Sequence, residues 1–119
     1  MITYTFAGLA VADYQEAYEW YVRLFGRAAD MFPHDTEAVW RLTPTSAVYV
    51  VGDPGRAGNG LLTVAVENLA EQETRLREAG IAFTELSADG APRRVAVEDR
   101  DGNTLTFFES PTGFGDGTT

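Results

Sequence analysis

Few side chains in this sequence have the chemistry of a catalyst. The chain has a single histidine, His34, which lies between Pro33 and Asp35, and it has no cysteine. A histidine titrates near neutral pH and suits proton transfer, but the sequence places no second catalytic group beside it. A solvated loop position is therefore the favoured interpretation of His34, and a general base is the alternative. The lack of cysteine excludes a cysteine nucleophile, a thiolate metal site and a disulfide framework.

The elements that must position any site come from an internal repeat. An apolar strand runs into Val11-Ala12-Asp13-Tyr14 and a helix, and a second strand runs into Val66-Glu67-Asn68-Leu69 and another helix. This repeat predicts an α+β fold of two tandem β-α-β-β-β modules. Because 119 residues are too few for two independent domains, both modules belong to one domain. The space between two paired sheets is a natural place for a small molecule.

Turn residues and side-chain periodicity place the elements of each module. Asp13 is predicted to cap the first helix and Gly26 to end it, while Asn68 caps the second helix and Gly80 ends it. Acidic residues of the second helix, Glu71, Glu73 and Glu78, are expected on a solvated face. Strands are predicted over residues 4–12, 28–33, 37–43, 46–52, 61–66, 82–87, 92–98 and 103–109.

These elements divide the domain, residues 1–119, into a first module over about 1–53 and a second over about 60–109. Residues 53–60 are rich in glycine and lack the Lys-Ser/Thr pair and following helix of a phosphate-binding loop, so we interpret them as a linker. Residues 110–119 are expected to form a flexible tail.

The charge of the chain bears on its partners and location. Eighteen acidic against nine basic side chains give a formal net charge of -9, which repels phosphate backbones and anionic lipid. We therefore expect no nucleic acid and no membrane as partner. The first residues show no basic region followed by an apolar stretch, and no apolar run approaches the length of a bilayer. A cytoplasmic protein is expected.

Three segments together resemble a known superfamily. They are Val11-Ala12-Asp13 with Trp20-Tyr21 and Leu24-Phe25-Gly26, Arg77-Glu78-Ala79-Gly80-Ile81, and Asp99-Arg100-Asp101-Gly102-Asn103 with Leu105. Over about residues 4–109 the chain is similar to the vicinal oxygen chelate superfamily, which includes glyoxalase I, the extradiol dioxygenases and the bleomycin-resistance proteins. The resemblance implies cupped, mainly antiparallel sheets with helices outside and a site inside the cup. The Asp-Gly and Gly-Asn steps also favour a tight hairpin.

The resemblance further indicates where metal-dependent members carry their His and Glu ligands. Counted from the matching motifs, these positions fall on Phe6 and Leu61 in the first strands of the modules and on Thr106 in the last strand. Tyr49 is the best match in the remaining strand, to within one residue. None of these side chains suits a divalent metal ion. We therefore expect no metal and no other cofactor, and metal-dependent lyase or dioxygenase activity becomes the less favoured alternative.

Alternation along the strands predicts the lining of the cup. Aromatic and apolar side chains with a few hydroxyl groups suit a planar or hydrophobic organic ligand. Core packing is the alternative for Phe6, Leu61 and Phe108, and packing or a subunit contact is the alternative for Trp40. Arg93 and Arg94 must point to opposite faces of their strand, so at most one can meet a carboxylate or phenolate. The predicted ligand-binding residues are Phe6, Trp40, Tyr49, Leu61, Thr63, Thr106 and Phe108.

Three functions remain open. The favoured one is metal-independent binding of a small hydrophobic or aromatic molecule, including antibiotic sequestration of the bleomycin-resistance type. The second is an enzyme that uses the same cup, with Tyr49, Thr106 or His34 handling a proton. The third is an interaction protein whose cup is filled by its own side chains. The resemblance and the open sheet edges also lead us to expect a homodimer.

Overall fold

The computed structural model describes residues 1–111, which form two four-stranded sheets with one helix each. The predicted tail lies outside the described residues from residue 112 onward. The first module comprises β1 (Thr5–Val11), α1 (Tyr14–Phe25), β2 (Met31–His34), β3 (Glu37–Thr43), β4 (Ser46–Gly52) and a short 3-10 helix (Pro54–Arg56). The second comprises β5 (Leu61–Val66), α2 (Leu69–Glu78), β6 (Thr84–Leu86), β7 (Arg94–Glu98) and β8 (Thr104–Glu109).

The two sheets have the same topology. Their strand orders are β1-β4-β3-β2 and β5-β8-β7-β6. In each sheet the first strand pairs in parallel with the fourth strand of its module, and the remaining pairs are antiparallel. The predicted α+β fold and the repeat of its β-α-β-β-β modules are confirmed.

The chain also divides into two compact units. One contains Met1–Gly60 together with Asp99–Asn103, and the other contains Leu61–Glu98 together with residues 104–111 of the described chain. The turn between β7 and β8 therefore belongs to the first unit, although it lies in the second module of the sequence. Residues 53–60, interpreted as a linker, also belong to the first unit and contain the 3-10 helix.

Both helices begin after the predicted caps, and α1 ends at the predicted Gly26, whereas α2 ends at Glu78, two residues before the predicted Gly80. The Asp13 carboxylate accepts a hydrogen bond from the Glu16 amide at 3.2 Å, and Gly26 ends α1 with a φ of 74°. The Asn68 side chain accepts from the Glu71 amide at 2.9 Å, and Gly80 follows α2 with a φ of 72°. Side-chain caps of this kind satisfy amide groups that the first turn of a helix leaves unpaired.

Each unit buries the helix-facing side of its sheet. In the first unit, Tyr21 and Leu24 of α1 are buried with alternate residues of β1, β3 and β4, namely Leu9, Val11, Ala38, Trp40, Val48 and Val50. In the second unit, Leu69 and Leu76 of α2 are buried along with Val95, Val97, Leu105 and Phe107. The opposite side of each sheet carries the remaining residues of the same strands, and we call it the open face.

Candidate functional site

The open face of the first sheet carries aromatic side chains around small ones. Phe6, Gly8 and Ala10 of β1 lie beside Ala47, Tyr49 and Val51 of β4, in parallel register. Phe6 is 60% exposed, whereas Val48 and Val50 on the helix-facing side are fully buried. Alternation thus places Phe6 and Tyr49 on the same accessible face.

The open face of the second sheet has the same geometry with different side chains. Leu61, Thr63 and Ala65 of β5 lie beside Thr104, Thr106 and Phe108 of β8. Leu61 is 85% exposed. Leu105 and Phe107 point to the buried side, so Thr106 and Phe108 point to the open face.

The register makes Tyr49 and Thr106 equivalent positions. Phe6 pairs with Ala47, and Tyr49 follows Ala47 by two residues. In the second sheet Leu61 pairs with Thr104, and Thr106 follows Thr104 by two residues. Tyr49 therefore has the same position relative to Phe6 as Thr106 has relative to Leu61.

The Tyr49 ring lies directly over Gly8. A Cβ atom added to Gly8 would be 2.3 Å from Cζ of Tyr49, so only glycine leaves room for the ring. Beside it, Gly8, Ala10, Tyr49 and Val51 form the floor of a cavity of about 270 Å³. The polar residues Asp53, Arg56 and Asn103 also line this cavity. The cavity thus combines an apolar floor with a few polar groups, as small-molecule sites do.

Phe6 borders a second, smaller cavity on the same face. This cavity has a volume of about 150 Å³ and is lined by Tyr4, Phe6, Asp30, Met31, Val39, Arg41 and Ala47. The rings of Tyr4 and Phe6 lie 4.7 Å apart. The Asp30 carboxylate accepts hydrogen bonds from Arg27 and from the Arg41 amide, and the bond from Arg27 is the main reason that the pKa of Asp30 lies below its usual value.

Trp40 does not belong to this face, which corrects the prediction from sequence. Its side chain is fully buried, and its ring stacks on Tyr18 of α1 at 5.7 Å. The indole N–H donates to the backbone carbonyl of Arg27 at 3.0 Å. Trp40 pairs with Val48, which also faces α1, so Trp40 is a core residue of the first unit.

The structure also places the charged residues that the sequence singled out. Nε2 of His34 lies 2.9 Å from the Glu37 carboxylate, and Nδ1 of His34 accepts a hydrogen bond from the Thr36 amide at 3.3 Å. Glu73 is only 4% exposed and pairs with Arg93, so the expectation of a solvated Glu73 was wrong. Arg93 is held on the helix side by this pair, which leaves Arg94 for the open face.

The residues at the positions expected for metal ligands do not fit a metal ion. Phe6, Tyr49, Leu61 and Thr106 offer two hydrocarbon side chains and two neutral hydroxyl groups, without an imidazole nitrogen or a carboxylate. Within residues 1–111, no group of three or more His, Cys, Asp and Glu side chains is arranged to hold a metal ion.

A buried polar network in the first unit was not predicted from the sequence. The Asp99 carboxylate accepts hydrogen bonds from the Tyr21 hydroxyl at 2.7 Å and from Nδ2 of Asn103 at 2.8 Å. Nδ2 of Asn103 also donates to the Ala10 carbonyl at 2.9 Å, and its Oδ1 accepts from the Gly60 amide at 2.8 Å. Burial, reinforced by the bond to Asp99, raises the pKa of Tyr21 far above its usual range.

This network explains why the turn motif contains Asp99 and Asn103. The sequence suggested a hairpin turn, which the structure shows between β7 and β8. The Asp99 and Asn103 side chains also form hydrogen bonds with residues of β1 and α1, which places this turn in the first unit. Their partners Tyr21 and Ala10 lie 78 and 93 residues away along the chain, so no local pattern could identify them.

Fold and site together define a two-module α+β protein with open-faced mixed sheets. The family described as the Glyoxalase/Bleomycin resistance protein/Dioxygenase superfamily matches residues 3–107, and the chain belongs to it. No curated protein is similar enough to be matched to the chain. Within residues 1–111, neither helix is long and apolar enough to cross a membrane.

Solved structures support the same assignment. A glyoxalase/bleomycin resistance protein from Catenulispora acidiphila is 35% identical, with a TM-score of 0.85, over 91% of this chain and 98% of that one. A lactoylglutathione lyase from Agrobacterium tumefaciens is 16% identical, with a TM-score of 0.73, over 93% and 95% of the chains. A bleomycin-binding protein complexed with bleomycin is 18% identical, with a TM-score of 0.67, over 89% and 97%. The last two, at these identities, share the fold.

Proposed function

We propose that this protein binds a small hydrophobic or aromatic organic molecule on the open faces of its sheets, without a metal ion. The observation that carries this proposal is the exposure of Phe6 and Leu61, at 60% and 85%, on faces that also hold Tyr49, Thr63, Thr106 and Phe108. Exposed apolar side chains grouped on one sheet face are typical of a binding surface, and Phe6 is grouped in this way with Met31, which is 47% exposed and lines the same cavity. The cavity of about 270 Å³ beside Tyr49 approaches the size of small-molecule sites.

Sequestration of an antibiotic is a specific form of this proposal. It is supported by two solved structures with the same fold, the bleomycin-binding protein and an antibiotic binding protein from Streptomyces. Metal-assisted catalysis, as in other branches of the superfamily, finds no suitable ligands at Phe6, Tyr49, Leu61 and Thr106. A homodimer and a cytoplasmic location remain part of the proposal, and light scattering at micromolar concentration tests the dimer.

The binding proposal is tested by titration with a neutral aromatic dye, N-phenyl-1-naphthylamine, whose fluorescence rises in an apolar site. The intrinsic tryptophans are poor reporters, because Trp40 is buried against α1 and Trp20 lies on α1 itself. Saturable enhancement of dye fluorescence supports the proposal. Absence of any enhancement up to the solubility of the dye refutes it.

Two phenylalanines of the same sheet give a matched pair of variants. Phe6 on the open face is 60% exposed, and Phe32 is 55% exposed. The ring centroid of Phe32 is 5.6 Å from that of Tyr18 on α1, so Phe32 lies on the helix-facing side of the sheet. If the dye covers about half of the exposed Phe6 surface, roughly 60 Å², Phe6→Ser loses about 1.5 kcal/mol, or about 10-fold in affinity. Phe32→Ser should leave the affinity within about 2-fold. Equal weakening by both variants would contradict binding on the open face.

A further inference from the structure

Arg94 is the basic residue of the open face in the second unit. It begins β7, in which Val95 and Val97 point to the buried side, so Arg94 points to the open face. Its cross-strand neighbours are Phe108 of β8 and Leu86 of β6. Arg94 therefore has an apolar side chain beside it on each neighbouring strand.

The hydrogen bonding of Arg94 is incomplete. Its Nε atom is shielded from solvent and has no acceptor, and among residues 1–111 it is the one buried side-chain nitrogen or oxygen in this condition. Arg93, its neighbour in sequence, is instead paired with Glu73 and, at 3.2 Å, with Glu85. A buried donor without an acceptor is costly. Arg94 as a whole is only half-buried, so a shift of its side chain would let a ligand oxygen reach Nε and remove that cost.

The charge of Arg94 is also uncompensated on its own face. The strand register places one carboxylate there, Glu98, and it lies four residues along β7, about 13 Å away. The other titratable groups of the neighbouring strands, Glu85 and Glu109, have the opposite parity, and Glu109 accepts a hydrogen bond from the Leu69 amide of α2. Among residues 1–111 no carboxylate therefore compensates this guanidinium on its own face, and it is a local site for an anion although the net charge of -9 repels anions at long range.

We propose, resting on the function proposed above, that Arg94 makes the protein selective for aromatic carboxylates. An Arg guanidinium can bind both oxygens of a carboxylate side-on through Nε–H and one Nη–H, and Nε is the atom that lacks a partner here. Phe108, directly opposite Arg94 in the register, then contacts the aromatic ring of the ligand. A carboxylate attached to a flat ring satisfies both contacts at once, whereas a neutral carboxamide offers one acceptor oxygen and no charge.

The test compares 2-naphthoate with 2-naphthamide, which differ in the carboxylate and little in shape. Their affinities are measured calorimetrically, and N-phenyl-1-naphthylamine binding is measured in parallel. Since a hydrogen-bonded charged pair contributes on the order of a 10-fold gain, wild-type protein should bind naphthoate at least about 10-fold more tightly than naphthamide. Arg94→Gln should remove that preference and leave naphthamide binding within about 2-fold.

Two further variants separate geometry, charge and folding. Arg94→Lys keeps the charge without the planar fork and should restore only part of the preference. Arg93→Gln, on the opposite face, should leave the preference intact, with circular dichroism checking that each variant is folded.

Equal binding of naphthoate and naphthamide by the wild type, or equal weakening of both by Arg94→Gln, overturns the role of Arg94. If the dye still binds in that case, the proposed aromatic binding stands alone. If neither the dye nor the two naphthyl compounds bind, both proposals fail.

Discussion

Replacing Asn103 by alanine should destabilise the protein strongly, because this fully buried side chain makes three hydrogen bonds. Its Nδ2 donates to the Ala10 carbonyl and the Asp99 carboxylate, and its Oδ1 accepts from the Gly60 amide. Asn103→Ala leaves the Gly60 donor without this partner and removes one donor from a buried carboxylate. At about 1–1.5 kcal/mol for each of the three bonds, the free energy of unfolding should fall by about 3–4.5 kcal/mol.

Urea unfolding followed by circular dichroism measures this loss, and Asn68→Ala is the matched control. Asn68 is exposed and makes one capping hydrogen bond to the Glu71 amide, so its replacement should cost about 1 kcal/mol. The same asparagine-to-alanine change thus tests a buried network against a surface cap. If Asn103→Ala costs no more than Asn68→Ala, the network does not stabilise the first unit as we infer.

Three other predictions follow from the same contacts. Gly8→Ala should displace the Tyr49 ring, since the added Cβ would lie 2.3 Å from it, and should weaken dye binding measured by fluorescence titration. Trp40→Phe should lower the free energy of unfolding in urea by about 1–3 kcal/mol, yet leave dye affinity within about 2-fold. Folding raises the pKa of Tyr21, so as the pH rises its phenol ionises first in the unfolded chain. The free energy of unfolding should therefore fall above about pH 10, by up to about 1.4 kcal/mol per pH unit. Tyr21→Phe should reduce this pH dependence, as measured by urea unfolding at a series of pH values.

The elements of the fold were predictable because their signals are local. A helix start needs only the cap residue and the following turn, so Asp13 and Asn68 could be recognised in isolation. Strands β4 and β5 were predicted with their observed limits, since turn residues flank both of them. The repeat then gave the module order, and with it the topology of two similar sheets.

The orientation of Trp40 was not predictable, because it depends on the register between β3 and β4. That register shifts between Arg41 and Thr43, and no residue pattern in the sequence predicts the shift. A change of one residue in register moves every side chain of a strand to the other face. A count of parity inward from the turn would therefore misplace Trp40, whereas Tyr49 was assigned by alternation against Val48 and Val50 in its own strand.

Pairings between distant residues were missed for a related reason. Glu73 was expected to be solvated because its helix neighbours are charged, but Arg93 lies 20 residues away and pairs with it. This pair in turn decides between Arg93 and Arg94, since it leaves Arg94 as the arginine that can face a ligand. The sequence predicts that the two arginines point to opposite faces of the strand. Only the position of Glu73 shows that Arg93 points to the helix side and Arg94 to the open face.

The repeat fixes where side chains point without fixing their chemistry. Both sheets place a first-strand residue and a fourth-strand residue in the same relation, yet one sheet fills these positions with Phe6 and Tyr49 and the other with Leu61 and Thr106. The first face is therefore mainly aromatic, while the second combines hydroxyl groups with the charge of Arg94. Aligning the two modules therefore identifies equivalent open-face positions, and the side chains at those positions must be interpreted for each sheet separately.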